Sequence, residues 1–146
     1  QKEGGITVNA MRTIHPPLID CYALSFKSAT KHVVFSGDTA YLPALADFAH
    51  GADLLVHEAM LVEALDALMA RIGNGDGRLM NHLMRSHTTA ADAGKIATAA
   101  GVKALALNHL VPSDDPNFGP DDWERAVRPT WSGPFHLGRD GLKVTL

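Results

Sequence analysis

With 146 residues, 46% of them hydrophobic and 20% charged, the chain has the balance of one ordinary globular domain and too little length for two cores, which excludes a disordered tail or a fibre. A formal net charge of −3 provides no global attraction to nucleic acid or to an anionic membrane. No apolar run reaches the roughly 18 residues of a spanning helix, and the single cysteine, Cys21, rules out an internal disulfide and suits a reducing, cytoplasmic compartment.

The chain begins at Gln1 rather than methionine, so upstream sequence is expected. From Ile6 to Ile14, the alternation of Ile6, Val8 and Ala10 with Thr7 and Asn9 predicts a half-buried strand that runs into His15-Pro16-Pro17. A second strand is expected over Cys21–Phe26, and a third over Val33–Phe35 that ends in Ser36-Gly37-Asp38-Thr39. Leu42, Leu45, Ala46 and Ala49 have the three-and-four spacing of an amphipathic helix with Pro43 in its first turn, closed by Gly51. Leu54–Val56 is a short buried strand that delivers His57-Glu58.

A helix is predicted from Met60 to about Ile72, followed by the glycine-rich run Gly73-Asn74-Gly75-Asp76-Gly77, which reads as a loop able to act as a lid. That run lacks the strand before it, the helix after it and the Lys-Ser/Thr ending of a phosphate-binding loop. Thr88 or Thr89, with Asp92 behind it, caps an alanine-rich helix over Ala90–Ala100 that Gly101 terminates. A strand over Val102–Leu107 ends in Asn108-His109. Pro112 to Pro120 is rich in turns, a short helix covers Asp121–Val127, and a hairpin around Arg139-Asp140-Gly141 is expected over Phe135–Leu146. The alternation of strands and helices predicts an α/β layered architecture.

Four of these strand-like runs end in metal-ligand side chains, His15, Asp38, His57 and His109, and His87 stands just before a helix start. Ends of neighbouring strands lie close together in a sheet, so such residues can converge on one ion or one substrate atom. Imidazole and carboxylate together suit zinc, and also manganese or iron, and no cysteine stands near them to make a thiolate-rich structural site. His32, His50, His82 and His136 have no such placement and are read as surface or structural residues. Trp123 and Trp131 are read as packing residues, Thr39 and Thr88 as turn and cap residues. The methionines Met60, Met69, Met80 and Met84 are expected to fill core or loop gaps.

The ordered set Ser36-Gly37-Asp38-Thr39, Val56-His57-Glu58-Ala59, Ser86-His87-Thr88-Thr89 and Leu107-Asn108-His109-Leu110 resembles the C-terminal half of the metallo-β-lactamase superfamily. The resemblance is greatest to its ribonuclease Z and arylsulfatase-like branch and runs from about Ile6 to Pro112. It implies an αββα sandwich of which this chain forms one half. It further implies two divalent metal ions, with His15 completing the ligand set of the first, Asp38 bridging both and His109 on the second. His87 would pass a proton to the leaving group, and His57 and Glu58 would hold the ligands in orientation by hydrogen bonds. The implied reaction is hydrolysis of a phosphodiester, a sulfate ester or a related ester, including lactones and cyclic nucleotides, by a hydroxide bridging the metals.

The His-x-His-x-Asp-His motif that supplies the family's other ligands does not occur in the chain. With one ligand for the first metal and two for the second, the chain alone is expected to be inactive. Its expected partner is therefore an N-terminal half, in the same or a separate chain, with a small-molecule or nucleic-acid ester as substrate and a homodimer as a further possible arrangement. The alternative is a binding or assembly partner that keeps the fold without the full metal site.

Overall fold

The computed structural model describes residues 2, 3, 5–73, 77–113 and 115–146. Seven strands form one sheet in sequence order: β1 (Lys2–Glu3), β2 (Ile6–Arg12), β3 (Tyr22–Lys27), β4 (His32–Phe35), β5 (Leu54–Met60), β6 (Leu105–Val111) and β7 (Phe135–Leu137). The first four pair antiparallel, while β4, β5, β6 and β7 pair parallel. Two reversals separate β2 from β4, so β2 points the same way as the four parallel strands. The C-terminal ends of β2, β4, β5 and β6 therefore share one edge of the sheet.

Helices α1 (Leu45–Phe48), α2 (Val62–Ile72), α4 (Ala90–Ala100) and α5 (Pro120–Val127) supply the core on one face, while α3 (Arg78–Ser86) buries only Ser86. Leu45, Ala64, Ile96, Ala97, Trp123 and Val127 from the helices meet Ala23, Val34, Leu55, Ala59, Leu105 and Leu107 from the strands. Helix α4 forms where alanine-rich sequence favours it; Thr89 Oγ1 accepts the Asp92 N–H at 3.1 Å, and Gly101 ends it in the left-handed conformation. Gly94 in α4 lies so close to Thr130 and Trp131 that a β-carbon there would meet both side chains. Both tryptophans are buried, and the Trp131 indole N–H donates to the Pro134 carbonyl at 3.0 Å.

The opposite face carries a second apolar cluster of Leu54, Ala104 and Ala106, joined by Val33, Val56 and Val144, and it contains no helical residue. Register extends this face outward, since Leu24 stands opposite Phe35, Phe35 opposite Val56, and Val56 opposite Ala106. Tyr22, Leu24 and Phe35 on it are exposed. No helix among the described residues is long and apolar enough to cross a membrane.

Four expectations change. Strand β5 does not end at Val56 but continues through His57 and Glu58 to Met60, because both polar residues find burial inside the sheet layers. The first helix is only Leu45–Phe48; the Leu45 and Ala46 amides bond three residues back, to Leu42 and Pro43, so that segment is a tight turn. The terminal hairpin does not form: β7 adds parallel to β6, and the chain turns at Arg139–Leu142 without a return strand. Helix α3 is absent from the sequence expectations although Leu79, Met80, Leu83 and Met84 share one of its faces; Leu79 and Met84 are exposed and only Ser86 is buried, so that stripe packs into no core. Of the four methionines only Met60 is fully buried, and Met84 is exposed. Residues 74–76 of the expected lid lie outside the described residues.

Candidate metal centre at the strand-end edge

At the shared edge, the loop after β2 brings His15, the loop after β4 brings Asp38, β5 brings Glu58, the α3–α4 junction brings His87, and β6 brings His109. Glycine shapes the β4 exit: Gly37 has φ +60°, and a β-carbon there would lie 2.6 Å from the Tyr22 carbonyl oxygen. On β6 the device is a bulge. Glu58 pairs with Asn108 and Ala59 with Leu110, which leaves His109 as the extra residue, at φ +42°. A bulge re-aims a side chain, and positive φ outside glycine costs energy that surrounding structure must offset. Here the displaced imidazole turns to Asp38, with Nε2 3.5 Å from Oδ2.

Glu58 organises the set from beneath. Its Oε1 accepts the Thr88 amide at 2.8 Å and the Thr39 amide at 3.3 Å, while Oε2 lies 3.3 Å from His87 Nδ1. Its own amide donates to Ser36 Oγ at 2.9 Å, and Thr88 Oγ1 donates to the Thr39 carbonyl at 2.7 Å. One buried carboxylate thus ties together the loop that carries Asp38 and the junction that carries His87. The hydrogen bond and charge of Glu58 raise the His87 pKa above its ordinary value against the opposing effect of burial. The His87 ring stacks on His109 at 5.5 Å and meets His15 edge to face at 5.0 Å, so the three imidazoles form one row.

His57 stands apart. It is fully buried; Nδ1 lies 2.6 Å from the Glu58 carbonyl oxygen and Nε2 has no partner. Strand alternation puts it on the helix-covered face with Leu55 and Ala59, while Glu58 faces the other way. The expected hydrogen bond from His57 to a ligand is not among the described contacts, whereas Glu58 does hold His87. Burial in this apolar layer pushes the His57 pKa down. Thr39 and Thr88, expected to be turn and cap residues, are buried members of the Glu58 cage, and the cap of α4 is Thr89.

The donors suit a divalent cation. Two ligands on one tetrahedral ion, each about 2.1 Å from it, stand about 3.4 Å apart, close to the 3.5 Å between His109 Nε2 and Asp38 Oδ2. His15 Nδ1 is buried without a partner. Glu58, His87 and His109 also offer three donor atoms within 4.8 Å of one another, but the Glu58 oxygens are already engaged by two amides and an imidazole, which makes Glu58 a positioning group rather than a free ligand. His82, given no role from sequence, lies edge to face with His15 at 6.3 Å. Its position four residues before Ser86 on a helix could have been read only if α3 had been recognised.

No protein-family model matches the chain. Among curated proteins it is 27% identical over 140 residues to the probable metallo-hydrolase YhfI of Bacillus subtilis, covering 95% of this chain and 48% of that protein. It is 30% identical over 146 residues to a ribonuclease Z of Myxococcus xanthus, covering all of this chain and 41% of the relative. A ribonuclease Z of Brevibacillus brevis is 39% identical over 95 residues, 63% of this chain and 26% of the relative. The crystal structure of YhfI, a metallo-β-lactamase-fold protein, superposes with a TM-score of 0.71 at 27% identity over 97% of this chain and 50% of that one. The chain spans half or less of the length of each of these relatives.

Proposed function

Because the chain belongs to the metallo-β-lactamase superfamily and has its fold, we propose that, completed by an N-terminal half, it works as a two-metal hydrolase of phosphodiesters or related esters. The observation that carries this reading is the convergence of Asp38, His109, His87 and His15 on one edge, with His109 re-aimed by a bulge toward Asp38. The bare apolar face of the sheet supports the same reading, since a second sheet packed there would make the αββα sandwich.

Asp38 and His109 would hold one metal, with Asp38 reaching the second, to which His15 contributes. When bound, the ions supply Lewis-acid activation of a water nucleophile and neutralise charge on the attacked centre. The remaining steps fall to this chain. Glu58 Oε2, 3.3 Å from Nδ1 of His87, orients the ring and would leave Nε2 as the nitrogen available to the substrate. His87, whose protonated form that contact favours, would deliver a proton to the departing oxygen. The hydrolase names of the relatives support the reaction class, and the ribonuclease Z relatives support a phosphodiester over a sulfate ester or a lactone.

The test is turnover of a phosphodiester by the full-length, metal-loaded protein. Chelation is expected to abolish it, and His87→Ala to slow it by about 10²- to 10⁴-fold with metal content unchanged. Loss of metal from that variant would assign His87 to the ions instead. A full-length protein that takes up no metal and cuts no ester would favour the binding-partner alternative.

A further inference from the structure

A cleft of about 410 Å³ opens directly beside the site, walled by Pro16 and Pro17 on one side and α3 on the other. Both walls run straight into site residues: Pro16 follows His15, and Ser86 precedes His87. Ser86 Oγ donates to the Pro16 carbonyl at 3.0 Å and fastens the walls together.

The chemistry of the helical wall is one-sided. Arg78, Asn81, His82 and Arg85 all line the cleft, at the i, i+3, i+4 and i+7 positions that share one helix face. Two guanidiniums, an amide and an imidazole thus face the same space, and no carboxylate is found among its described lining residues. In a chain of net charge −3, this is a local concentration of cationic donors. Guanidinium is the side chain best matched to phosphate, through paired N–H donors and a permanent charge. The floor continues into the histidine row, because His82 lies against His15 and His15 against His87.

We propose that this cleft seats a phosphate group of the substrate next to the ester that is cut, with Arg85 and Arg78 as its binding residues and Asn81 and His82 as further donors. The substrate is then a compound with more than one phosphate, or a nucleic-acid strand whose neighbouring phosphate lies against α3. The proposal rests on the hydrolase reading for the word substrate, but its binding test does not need turnover.

The probe is adenosine 5′-monophosphate, titrated by calorimetry into the full-length protein after chelation, with adenosine as the uncharged control. The nucleotide is expected to bind at least about tenfold more tightly than adenosine, Arg85→Ala to weaken it by about tenfold, and Arg85→Lys to recover part of that loss. Asn81→Asp, which places a negative charge in the cleft and keeps both arginines, is expected to weaken the nucleotide and leave adenosine unchanged. Equal affinity for the two ligands, or an Arg85→Ala variant that binds the nucleotide as well as the parent, overturns the proposal. Inorganic phosphate separates sources: binding as tight as the nucleotide's means that the cleft reads the phosphate alone. A loaded protein that fails to cut phosphodiesters yet binds the nucleotide through Arg85 would defeat the hydrolase reading and leave the anion site standing.

Discussion

His57 and Glu58 are neighbours in β5 and both fully buried, yet they belong to opposite faces of the sheet and are buried for different reasons. On the helix-covered face His57 lies in a closely packed apolar layer that disfavours its charged form. Toward the strand-end edge, Glu58 is surrounded by two amides and an imidazole that engage both of its oxygens. Burial alone therefore does not identify a functional residue; what the buried group is bonded to does. The comparison extends to the faces themselves, one sealed by helices and one left as an apolar surface with exposed Tyr22, Leu24 and Phe35.

The largest effect is expected at the polar cage. Glu58→Ala strips acceptors from the Thr39 and Thr88 amides and the partner from His87, so it should cost about 3–5 kcal/mol in urea unfolding. A loss under about 1 kcal/mol would show that the loops hold themselves. Next is the closeness of packing on the covered face. Gly94→Ala forces a β-carbon onto Thr130, whose hydroxyl is committed to the Ala91 carbonyl at 2.7 Å, and should cost about 1–3 kcal/mol in the same measurement.

His57 gives the pH dependence of the covered face. Its folded pKa is depressed, so above the ordinary value near 6.5 both folded and unfolded forms are neutral and nothing is gained or lost. Below that value the unfolded chain takes up the proton first, and stability falls by up to about 1.4 kcal/mol per pH unit. His87 acts in the opposite sense: its raised pKa contributes stability that is present in acid and lost as pH rises through the folded value. Urea titrations between about pH 5 and 8 should therefore show that His57→Gln flattens the acid limb while His87→Gln steepens it. Parallel curves for His57→Gln and the parent would place its proton balance elsewhere. The smallest effect is expected on the bare face, where Leu24→Ser should change the stability of this chain alone by within about 0.5 kcal/mol, but cost more in the full-length protein, where a second sheet would cover it.

Much of this was legible in the sequence because strand ends are marked by abrupt changes of chemistry. Val34-Phe35 giving way to Gly37-Asp38, and the Thr89–Asp92 cap before an alanine run, each fix a boundary by local physics. His15, Asp38, His87 and His109 are therefore recognisable from the sequence as candidate site residues. What stayed hidden was set by tertiary structure. The bulge that turns His109 depends on register with β5, and the separation of His57 from Glu58 depends on the strand continuing to Met60, which two polar residues in a row conceal. Helix α3 is different: Leu79, Met80, Leu83 and Met84 repeat at helical spacing and set Arg78, Asn81, His82 and Arg85 on the opposite face, so its periodicity is legible, whereas the placement of that polar face beside His15 depends on tertiary structure.

The central claim is that the strand-end edge is part of a two-metal centre anchored by Asp38, and elemental analysis of the full-length protein, purified without added metal, tests it most directly. The account predicts about two equivalents of zinc, manganese or iron per chain, falling to one or fewer in Asp38→Ala while Leu24→Ser keeps both. A parent protein that holds no metal even after reconstitution, or an Asp38→Ala variant that still carries two equivalents, would contradict it.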